Sequence, residues 1–534
     1  MSTNNLVRNI TGVEAFNPDI LETIADLSND EVFTPPIVAN RMLDQLPKHV
    51  WHNPHLRWLD PCVKTGVFLR EAAKRLLEGL KTPVTEDLEL QQKLANDEEF
   101  RRRWVFKEML FGIAITDLTA LMSRRSLYYT KFASNPELSV YPMDTDDGNI
   151  LFKKLKHAYA KNKKGKLTGS CLLCSASLDW NRGDVLESHA YPMLHASQET
   201  IIGWFKEINA DIKNEVNMKF DVIIGNPPYQ LSNGESSDIP LYNLFIERAI
   251  SFDPVYVCMI TPSRWFQGGK WLDSFRARML NDKRISHIYD FPNSKEVFPT
   301  VEIKGGVNYF LWDSQHNGDC SFTLNNGLKS STTKRNLSQF SKFIRQNEGI
   351  EIIGKVISSN NFDSLSKYVS SQTPFGIYSS FNQFESEKKS DNYKIYARNK
   401  IAYVNKNHIT KVHPSLSDYK LLIPKAGSDA MKPDMVYSVP IVAPPNSVCT
   451  QTYLIARSFK SIEEAENMLS YSKTKFFRYM LSLLKNTQDI GKDKFEYVPD
   501  LDMKQKWTDE KLYKYFGLTD EEIAHIEESI RDMV

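Results

Sequence analysis

Short apolar runs alternate with amphipathic stretches along the first three hundred or so residues of the chain. Runs of strand length lie near residues 57–61, 110–115, 220–225, 256–261, 285–291 and 306–312. Helical patterns separate several of these runs, first from the turn at Gly66 to about residue 80 and again over residues 118–128. Strands that alternate with helices predict an α/β fold built on a doubly wound, mostly parallel sheet.

The pattern of residue types changes after Asp313, where Ser, Asn and Lys separate shorter apolar runs. A turn at residues 315–319 predicts that a second, α+β domain begins there. Its last portion is predicted to be helical, because Thr519 and Glu522 form a capping box ahead of Ile523. The predicted organisation is an N-terminal arm (1–30), a core (31–150 and 219–315), an insertion (151–218) and a C-terminal domain (316–534) with a helical end.

The composition is ordinary for a globular protein, with 41% apolar and 25% charged residues among 534. Six scattered cysteines, a polar start and the lack of a membrane-length apolar run predict a cytoplasmic protein with no membrane partner. The formal net charge of +1 gives no global basic field. Any contact with nucleic acid must therefore come from local clusters of basic residues.

Asn226-Pro227-Pro228-Tyr229 follows the apolar run at residues 220–225, so it is expected at the carboxyl end of a buried strand, where open α/β sheets bind ligands. The two prolines remove two backbone donors and leave bare carbonyls beside the asparagine amide. Such a site suits a planar amine: the Asn226 and Pro227 carbonyls accept the two amino hydrogens, and Tyr229 stacks on the heterocycle. An ordinary proline turn after a core strand is the competing interpretation.

Two upstream segments have the character of a nucleotide site. Asp60-Pro61 and Thr65-Gly66 lie at a strand-turn-helix junction, where a glycine lets the backbone approach a ligand and the helix start offers free N–H groups. Asp60 is placed to meet a polar or cationic ligand group. Further upstream, Phe33-Thr34-Pro35 leads into an amphipathic helix. Taken alone, this segment is equally typical of a helix cap followed by a first-turn proline.

Together and in this order, the three segments resemble the amino-methylating DNA methyltransferases that make N6-methyladenine, specifically restriction-modification enzymes whose target-recognition domain is C-terminal. The resemblance covers about residues 30–315. It implies a Rossmann-like core with S-adenosylmethionine as methyl donor, bound by Phe33-Thr34-Pro35, Asp60-Pro61 and Thr65-Gly66, with catalysis by Asn226-Pro227-Pro228-Tyr229. Double-stranded DNA is the implied partner, from which the target adenine is flipped into the pocket. A separately encoded restriction endonuclease is a second candidate partner.

The chain departs from the family pattern at two positions. Lys64 stands where a second glycine is usual, and its side chain is expected to crowd the methionine part of the cofactor. Ala114 stands where an acid commonly binds the ribose hydroxyls, so Asp117 is expected to substitute from one turn further on. A third position, Asn149, resembles a polar contact to the cofactor adenine, although a plain turn at Asp147-Gly148 explains it equally well.

The insertion contains Cys171, Cys174, His189 and His195 in the pattern C-x2-C-x14-H-x5-H. That spacing is within the range expected for a tetrahedral zinc site. The insertion offers little apolar surface, and a small segment without a hydrophobic core needs a disulfide or a metal ion to be stable. The sequence therefore predicts a zinc-finger-like insertion with structural zinc, and it leaves Glu187 and His157 as weaker ligand candidates. Unrelated cysteines and surface histidines are the alternative.

A local basic cluster follows the strand after the catalytic one, with Arg264, Trp265, Phe266 and Lys270. Mixed cations and aromatics suit phosphate and base contacts, so these residues are the predicted DNA-binding set. A solvated helix face whose aromatics pack into the core is the competing interpretation.

Three other functions remain open, since methylases of RNA and of protein glutamine share the Asn-Pro-Pro-Tyr motif, and a non-catalytic DNA-binding relative would keep the same fold. The large C-terminal domain and the predicted zinc insertion favour DNA. A fused restriction enzyme would need a nuclease centre, which the roughly thirty residues before Phe33 cannot house.

Overall fold

The structure is a computed structural model that describes residues 32–176, 178, 190–231, 239–269, 271–327, 329–398, 400–425, 436–485 and 489–533. The chain divides into two compact units between Gln339 and Phe340.

The first unit is built on a sheet of nine described strands, accompanied by two short hairpins, β4–β5 and β7–β8. The strands are β1 Trp58–Val63, β2 Leu110–Ala114, β3 Ile150–Leu151, β4 Tyr159–Lys161, β5 Leu167–Cys171, β6 Val222–Gly225, β7 Gln230–Leu231, β8 Ile239–Pro240, β9 Tyr256–Pro262, β10 Ile285–Phe291, β11 Val307–Asp313, β12 Cys320–Asn326 and β13 Lys329–Arg335. Their order across the sheet is β13-β12-β10-β11-β9-β6-β1-β2-β3. Within the nine described strands of the main sheet, only β11 and β13 run antiparallel to the rest, so the predicted doubly wound, mostly parallel sheet is confirmed.

The direction of winding reverses between β1 and β6. The chain passes from β1 to β2 and β3 on one side, then returns to β6 and β9 on the other. Open α/β sheets bind ligands beyond the carboxyl ends of the strands at such a reversal. Both strands are buried along their whole length, as expected for central parallel strands covered on both faces.

The helices of the first unit are Pro36–Leu43, Val67–Gly79, Leu88–Asn96, Glu98–Arg103, Asp117–Tyr128, Pro192–His195, Gln198–Ile208, Tyr242–Ser251 and Asp273–Asn281. The longer ones bury one apolar stripe, as Val67–Gly79 does with Phe68, Leu69 and Leu76. In the ranges that the structure describes, no helix is both long and apolar enough to cross a membrane.

The second unit combines two three-stranded sheets, ordered β15-β14-β18 and β17-β16-β19, with a helical end. The strands are β14 Asn392–Ala397, β15 Lys400–Asn405, β16 Tyr419–Pro424, β17 Ile441–Ala443, β18 Ser447–Cys449 and β19 Tyr453–Phe459. The helices are Gly349–Ile357, Ile462–Lys473, Lys475–Ser482, Asp509–Phe516 and Asp520–Ser529. The predicted capping box is present, with Thr519 and Glu522 bonding each other's backbone N–H.

The structure moves two of the predicted domain limits. Residue 316 falls inside the first unit, because β12 and β13 extend the sheet before the second unit begins at Phe340. The predicted insertion also ends too late, since the helix Gln198–Ile208 packs Phe205 against Phe111 and Phe220 in the core. The predicted arm, residues 1–30, lies outside the described residues.

Candidate active site

A glycine turn connects β1 to the helix Val67–Gly79. Gly66 has a φ of +76°, a conformation that favours glycine. A Cβ on Gly66 would also lie only 2.9 Å from the Cα and the carbonyl oxygen of Ser123. The turn therefore requires glycine for two independent reasons, and the helix begins there with free N–H groups at the carboxyl edge of the sheet.

The Asn-Pro-Pro-Tyr segment follows β6 directly, and all four of its residues are buried. Because β6 pairs with β1, this segment lies beside the glycine turn. The approach is close, since a Cβ on Gly225 would be 2.9 Å from Asp60 Oδ1. The predicted catalytic segment and the predicted cofactor turn thus belong to one edge of two neighbouring strands.

The Asn226 side chain is held by the Phe-Thr-Pro segment. Its Nδ2 donates to the Val32 carbonyl oxygen at 2.9 Å and to Thr34 Oγ1 at 3.0 Å. Both amide hydrogens are thereby used, and the orientation of the amide is fixed. Its carbonyl oxygen, Oδ1, is buried near the Tyr229 hydroxyl and forms no hydrogen bond of good geometry among the described residues. A buried acceptor without a partner is costly, so Oδ1 is poised for a donor that arrives with a ligand.

A small, partly open cavity lies between all three segments. It is lined by Thr34, Asp60, Cys62, Lys64, Thr65, Gly66, Val67, Phe68 and Asn226. The structure therefore brings Thr34, Asp60, Thr65 and Gly66 together with Asn226, although 192 positions separate Thr34 from Asn226 in the chain. Phe33 and Pro35 are half-buried and Pro61 is buried, and these three flank residues of the cavity lining.

Lys64 lies in the wall of this cavity and is buried. Its Nζ donates to the Val32 carbonyl oxygen at 3.1 Å, the same oxygen that accepts from Asn226. The side chain that replaces the usual glycine thus fills part of the loop and ties it to the segment that orients Asn226. Val32 itself gave no signal in the sequence, because its contribution is a backbone carbonyl.

Asp60 is a buried carboxyl beside this lysine. Burial raises the pKa of Asp60 to about 7, although the N–H of Cys62 and the positive charge of Lys64 both act to lower it. The Cys62 N–H donates to Asp60 Oδ1 at 3.1 Å. At neutral pH the carboxyl is therefore divided between its neutral and ionised forms, and a cationic ligand group would favour the ionised form.

Tyr229 is buried and does not line the cavity. Its hydroxyl is buried near the Asn226 side chain, but it forms no hydrogen bond of good geometry among the described residues. Burial raises the pKa of the hydroxyl well above its ordinary value, the Cys62 thiol raises it further, and the neighbouring Asn226 side chain acts in the opposite direction. Stacking of this ring on a ligand therefore stays a prediction and requires the ring to turn toward the cavity.

The remaining predicted cofactor residues, Asp117 and Asn149, do not line the cavity. Asp117 is exposed and pairs with Lys154 at 3.1 Å, while Ala114 is fully buried in β2. Asn149 requires a correction, because its Nδ2 donates to the carbonyl oxygens of residues 106, 107 and 110 and its Oδ1 accepts from Asn209. With no exposed surface, Asn149 is a structural residue after the turn at Gly148, the alternative that the sequence left open.

The predicted DNA-binding set is also corrected in part. Trp265 and Phe266 have no exposed surface and pack edge-on against Phe275 and Phe322 respectively. These rings are part of the hydrophobic core. A cluster of cations and aromatics has the same appearance in the sequence whether its rings pack in the core or contact nucleic acid. Arg264 is exposed and stays a candidate, and Lys270 lies outside the described residues.

A separate cluster in the insertion brings two thiols and two imidazoles together. The ligand atoms of His157, Cys171, Cys174 and His195 all lie within 4.8 Å of one another. Cys171 Sγ is 3.3 Å from His195 Nε2, and Cys174 Sγ is 3.4 Å from His157 Nδ1. Neighbouring ligands of a tetrahedral zinc are about 3.6 Å apart, which these distances approach. His189 lies outside the described residues, and His157 stands in the fourth position.

The protonation states at this cluster suit a metal. Burial would raise the pKa of Cys171, but the N–H groups of Cys174 and Leu173 outweigh it and lower the pKa below its ordinary value. Burial lowers the pKa of His195, whose Nδ1 lies 3.1 Å from the Tyr191 carbonyl oxygen. Donation from Nδ1 would leave Nε2 free to bind a metal. Within the described ranges, no other group of His, Cys, Asp or Glu has metal-binding geometry.

Two comparisons identify similar sequences. The family model of the Eco57I restriction-modification methylase matches residues 108–298, which include the Asn-Pro-Pro-Tyr segment. An uncharacterized adenine-specific methylase of Mycoplasma pneumoniae (strain ATCC 29342 / M129 / Subtype 1) is 35% identical over 350 residues, covering 62% of this chain and 78% of that protein.

Comparison with solved structures gives lower similarity. The type IIL restriction-modification enzyme MmeI in complex with DNA is 11% identical, with a TM-score of 0.46, over 93% of this chain and 66% of that one. The DrdV–DNA complex is 12% identical, with a TM-score of 0.41, over 90% and 57%. The M protein of the type I restriction enzyme EcoKI is 14% identical, with a TM-score of 0.30, over 57% and 50%. The chain thus spans two thirds or less of the length of these structures.

Proposed function

This chain belongs to the adenine-specific methylases of restriction-modification type, an S-adenosylmethionine-dependent family, and from that premise we propose that it methylates the N6 amino group of adenine in DNA. One observation carries the proposal. A single cavity connects the glycine turn to Asn226, whose amide is fixed through Nδ2 while its buried Oδ1 forms no hydrogen bond of good geometry among the described residues.

The residues around the cavity fit a methyl donor on one side. Gly66 permits close approach of a ligand to the helix start, and Asp60 offers a carboxylate to a cationic amino group. Thr34 and Thr65 add hydroxyl groups to the same wall. When bound there, S-adenosylmethionine would supply an electrophilic methyl carbon: the new N–C bond forms as the S–CH3 bond breaks, S-adenosylhomocysteine leaves, and the amino group releases one proton to solvent. The Lys64 side chain narrows the loop, so the cofactor is expected to bind less tightly than it would to a loop with glycine.

The Asn226 and Pro227 carbonyls accept the two hydrogens of the target amino group. Acceptance of both hydrogens directs the nitrogen lone pair toward the methyl donor, and positioning of the two reactants supplies much of the rate increase. The proline pair contributes no N–H group that would compete for these acceptors. Flipping the adenine costs a few kcal/mol, which contacts to the extruded base must offset. Stacking by Tyr229 is part of this proposal.

The insertion is proposed to hold one structural zinc ion through His157, Cys171, Cys174 and His195. Support comes from the mutual distances of the four ligand atoms and from the small core of the insertion, which leaves residues 160–170 exposed. A metal stabilises such a segment by closing it on itself. A DNA substrate would also place the enzyme in the cytoplasm, and a separately encoded restriction endonuclease would complete the system.

The test is incubation of the full chain with labelled S-adenosylmethionine and DNA of mixed sequence, followed by sequencing that detects N6-methyladenine. Label in adenine of DNA is the expected result. Label in RNA or in protein glutamine, with none in DNA, would mean that the substrate is RNA or protein and not DNA. Cofactor binding without transfer to any of the three would indicate a non-catalytic relative.

A further inference from the structure

The start of the insertion is strongly basic in a chain that is otherwise balanced. Between Leu151 and Leu178 the sequence has no Asp or Glu, although the whole chain carries 67 basic and 66 acidic residues. The basic residues of this stretch, apart from His157, are Lys153, Lys154, Lys156, Lys161, Lys163, Lys164 and Lys166. Such a concentration of one charge sign creates a local positive field in a chain whose net charge is close to zero.

Four of these lysines are displayed on the hairpin β4–β5. Residues 160–170 are all exposed, and the turn is held by its backbone. Asn162 N donates to the Lys166 carbonyl, and Asn162 Oδ1 accepts from the N–H groups of Lys164 and Lys166. The lysine side chains have no part in these turn bonds. Of the seven lysines, only Lys154 forms an ion pair with another described residue.

The insertion is fixed to the catalytic unit at both ends. It leaves the sheet at the carboxyl end of β3, the edge that also carries the cavity, and Lys154 contacts Asp117 at the start of the helix that follows β2. On its return, Tyr191 packs against Phe245 in the helix that follows the Asn-Pro-Pro-Tyr segment. The hairpin therefore belongs to the same compact unit as the active-site cavity.

The thiol and imidazole cluster closes the base of the hairpin. Cys171 is the last residue of β5, and His157 lies two residues before β4. A metal held by this cluster would lock both strands to His195 and so to the return segment. The lysines would then be presented on a rigid support, which reduces the conformational entropy lost when they meet a partner.

We propose that this hairpin is a metal-stapled clamp that holds the phosphate backbone of duplex DNA beside the active site. The proposal rests on the proposed function, because the DNA that presents the target adenine is the polyanion expected at this edge. Lysine binds phosphate as a point charge, which suits backbone contact without sequence reading. The clamp would therefore contribute affinity that is independent of sequence and sensitive to salt.

The decisive variant of the full chain is K163A/K164A, which removes two exposed charges without touching the bonds of the turn. The variant K81A/K93A is the matched control, because both lysines are exposed and lie in the same unit, in pairs with Glu78 and Glu89. A fluorescent duplex of mixed sequence measures binding over a range of salt concentrations. Labelled S-adenosylmethionine measures kcat and the KM for DNA on the same preparations.

The expected result for K163A/K164A is a roughly three- to tenfold rise in the Kd and KM for DNA, with kcat unchanged. The slope of log affinity against log salt should fall by about two, because each removed lysine is expected to neutralise one phosphate. K163R/K164R should behave as the unmodified chain, as should the control. Unaltered DNA binding by K163A/K164A would overturn the clamp, and so would lysine-dependent binding of RNA that duplex DNA does not displace.

The two proposals fail separately. Lysine-dependent DNA binding by a chain that methylates no DNA would retain the clamp and remove the proposed function. Methylation of DNA with a KM for DNA unaffected by K163A/K164A would retain the proposed function and remove the clamp.

Discussion

Asn226 Nδ2 donates to Thr34 Oγ1 at 3.0 Å, which joins two segments that lie 192 positions apart in the chain. The bond makes the Phe-Thr-Pro segment part of the support for the asparagine in addition to its predicted contact with the cofactor. Any change at Thr34 is therefore expected to reach the reacting amine through Asn226.

Substitution of Thr34 by valine keeps the shape of the side chain and removes the acceptor. One hydrogen bond is worth about 1 kcal/mol, so kcat is expected to fall about fivefold. The Val32 carbonyl still holds Asn226, which prevents a complete loss. Thr34→Ser keeps the hydroxyl and should recover most of the activity. Equal rates for the serine and valine variants would show that the Thr34 hydroxyl does not position Asn226.

Substitution of Asn226 by alanine removes the unpaired acceptor itself. We expect kcat to fall by about 100- to 1000-fold or more, the range seen when a group aimed at a reacting centre is lost. Cofactor affinity, measured by calorimetry, should change little, because the glycine turn is untouched. Loss of cofactor binding with a normal rate at saturation would remove Asn226 from the catalytic role.

Much of the fold could be predicted because the central strands are buried on both faces. The strand predicted at residues 285–291 became β10 with the same limits, and the strand predicted at 306–312 became β11 one residue later. The strand β13 escaped prediction because its residues, Lys329–Arg335, are mostly polar and largely exposed. Edge strands commonly carry such residues, which protect their unpaired side.

The site was predictable wherever local chemistry dictates it and not where distant contacts do. Gly66 and Asn226 follow strands that the sequence marks clearly. Asn149 looked equally suited to a cofactor, and only the distant Asn209 and three backbone carbonyls reveal its structural role. The predicted DNA contact of Trp265 was wrong for the same reason, because the core residue that packs against it, Phe275, belongs to another element.

Two glycines with the same φ of +76° provide a matched test of the cofactor turn. Gly66→Ala adds a Cβ within 2.9 Å of the Ser123 backbone, whereas Gly165→Ala adds one with nothing within 4 Å. Both substitutions carry the backbone strain of about 1–2 kcal/mol. Only Gly66→Ala should also displace the turn and abolish cofactor binding. Urea unfolding and calorimetry separate the two effects, and retained cofactor affinity in Gly66→Ala would contradict the assignment of the turn.

Metal content distinguishes His157 from His189 as the fourth ligand. The full chain is expected to contain about one zinc ion, and His157→Ala should lower its content as strongly as Cys171→Ser does, because each removes one corner of a tetrahedron. His189→Ala is expected to retain the metal. Measurement by mass spectrometry of dialysed protein decides between them. Loss in His189→Ala with retention in His157→Ala would restore the ligand set predicted from the sequence.

The pH dependence of cofactor binding should report Asp60, whose pKa is raised by burial to about 7. A cationic amino group prefers the ionised carboxylate, so affinity for S-adenosylmethionine should rise as pH increases through about 7, until the amino group of the ligand loses its own proton at about pH 8. Asp60→Asn should bind more weakly at high pH and lose this dependence. Lys64→Met removes the charge that favours ionisation and should move the midpoint upward. If Lys64→Met leaves the midpoint of the pH dependence unchanged, the charge of Lys64 does not affect the ionisation of Asp60.

Stability of the free protein should vary with pH in the opposite sense. The native state keeps the Asp60 proton up to a pH of about 7, whereas the unfolded chain releases it near the ordinary value of 3.8. Between those values the native state binds more protons, so the Asp60 contribution to the free energy of unfolding falls as pH rises, by up to about 1.4 kcal/mol per pH unit. Asp60→Asn lacks this contribution and should gain stability relative to the unmodified chain from pH 5 to pH 8, as urea unfolding would reveal. A constant difference between the two proteins across that range would mean that the Asp60 carboxyl is already ionised in the folded state.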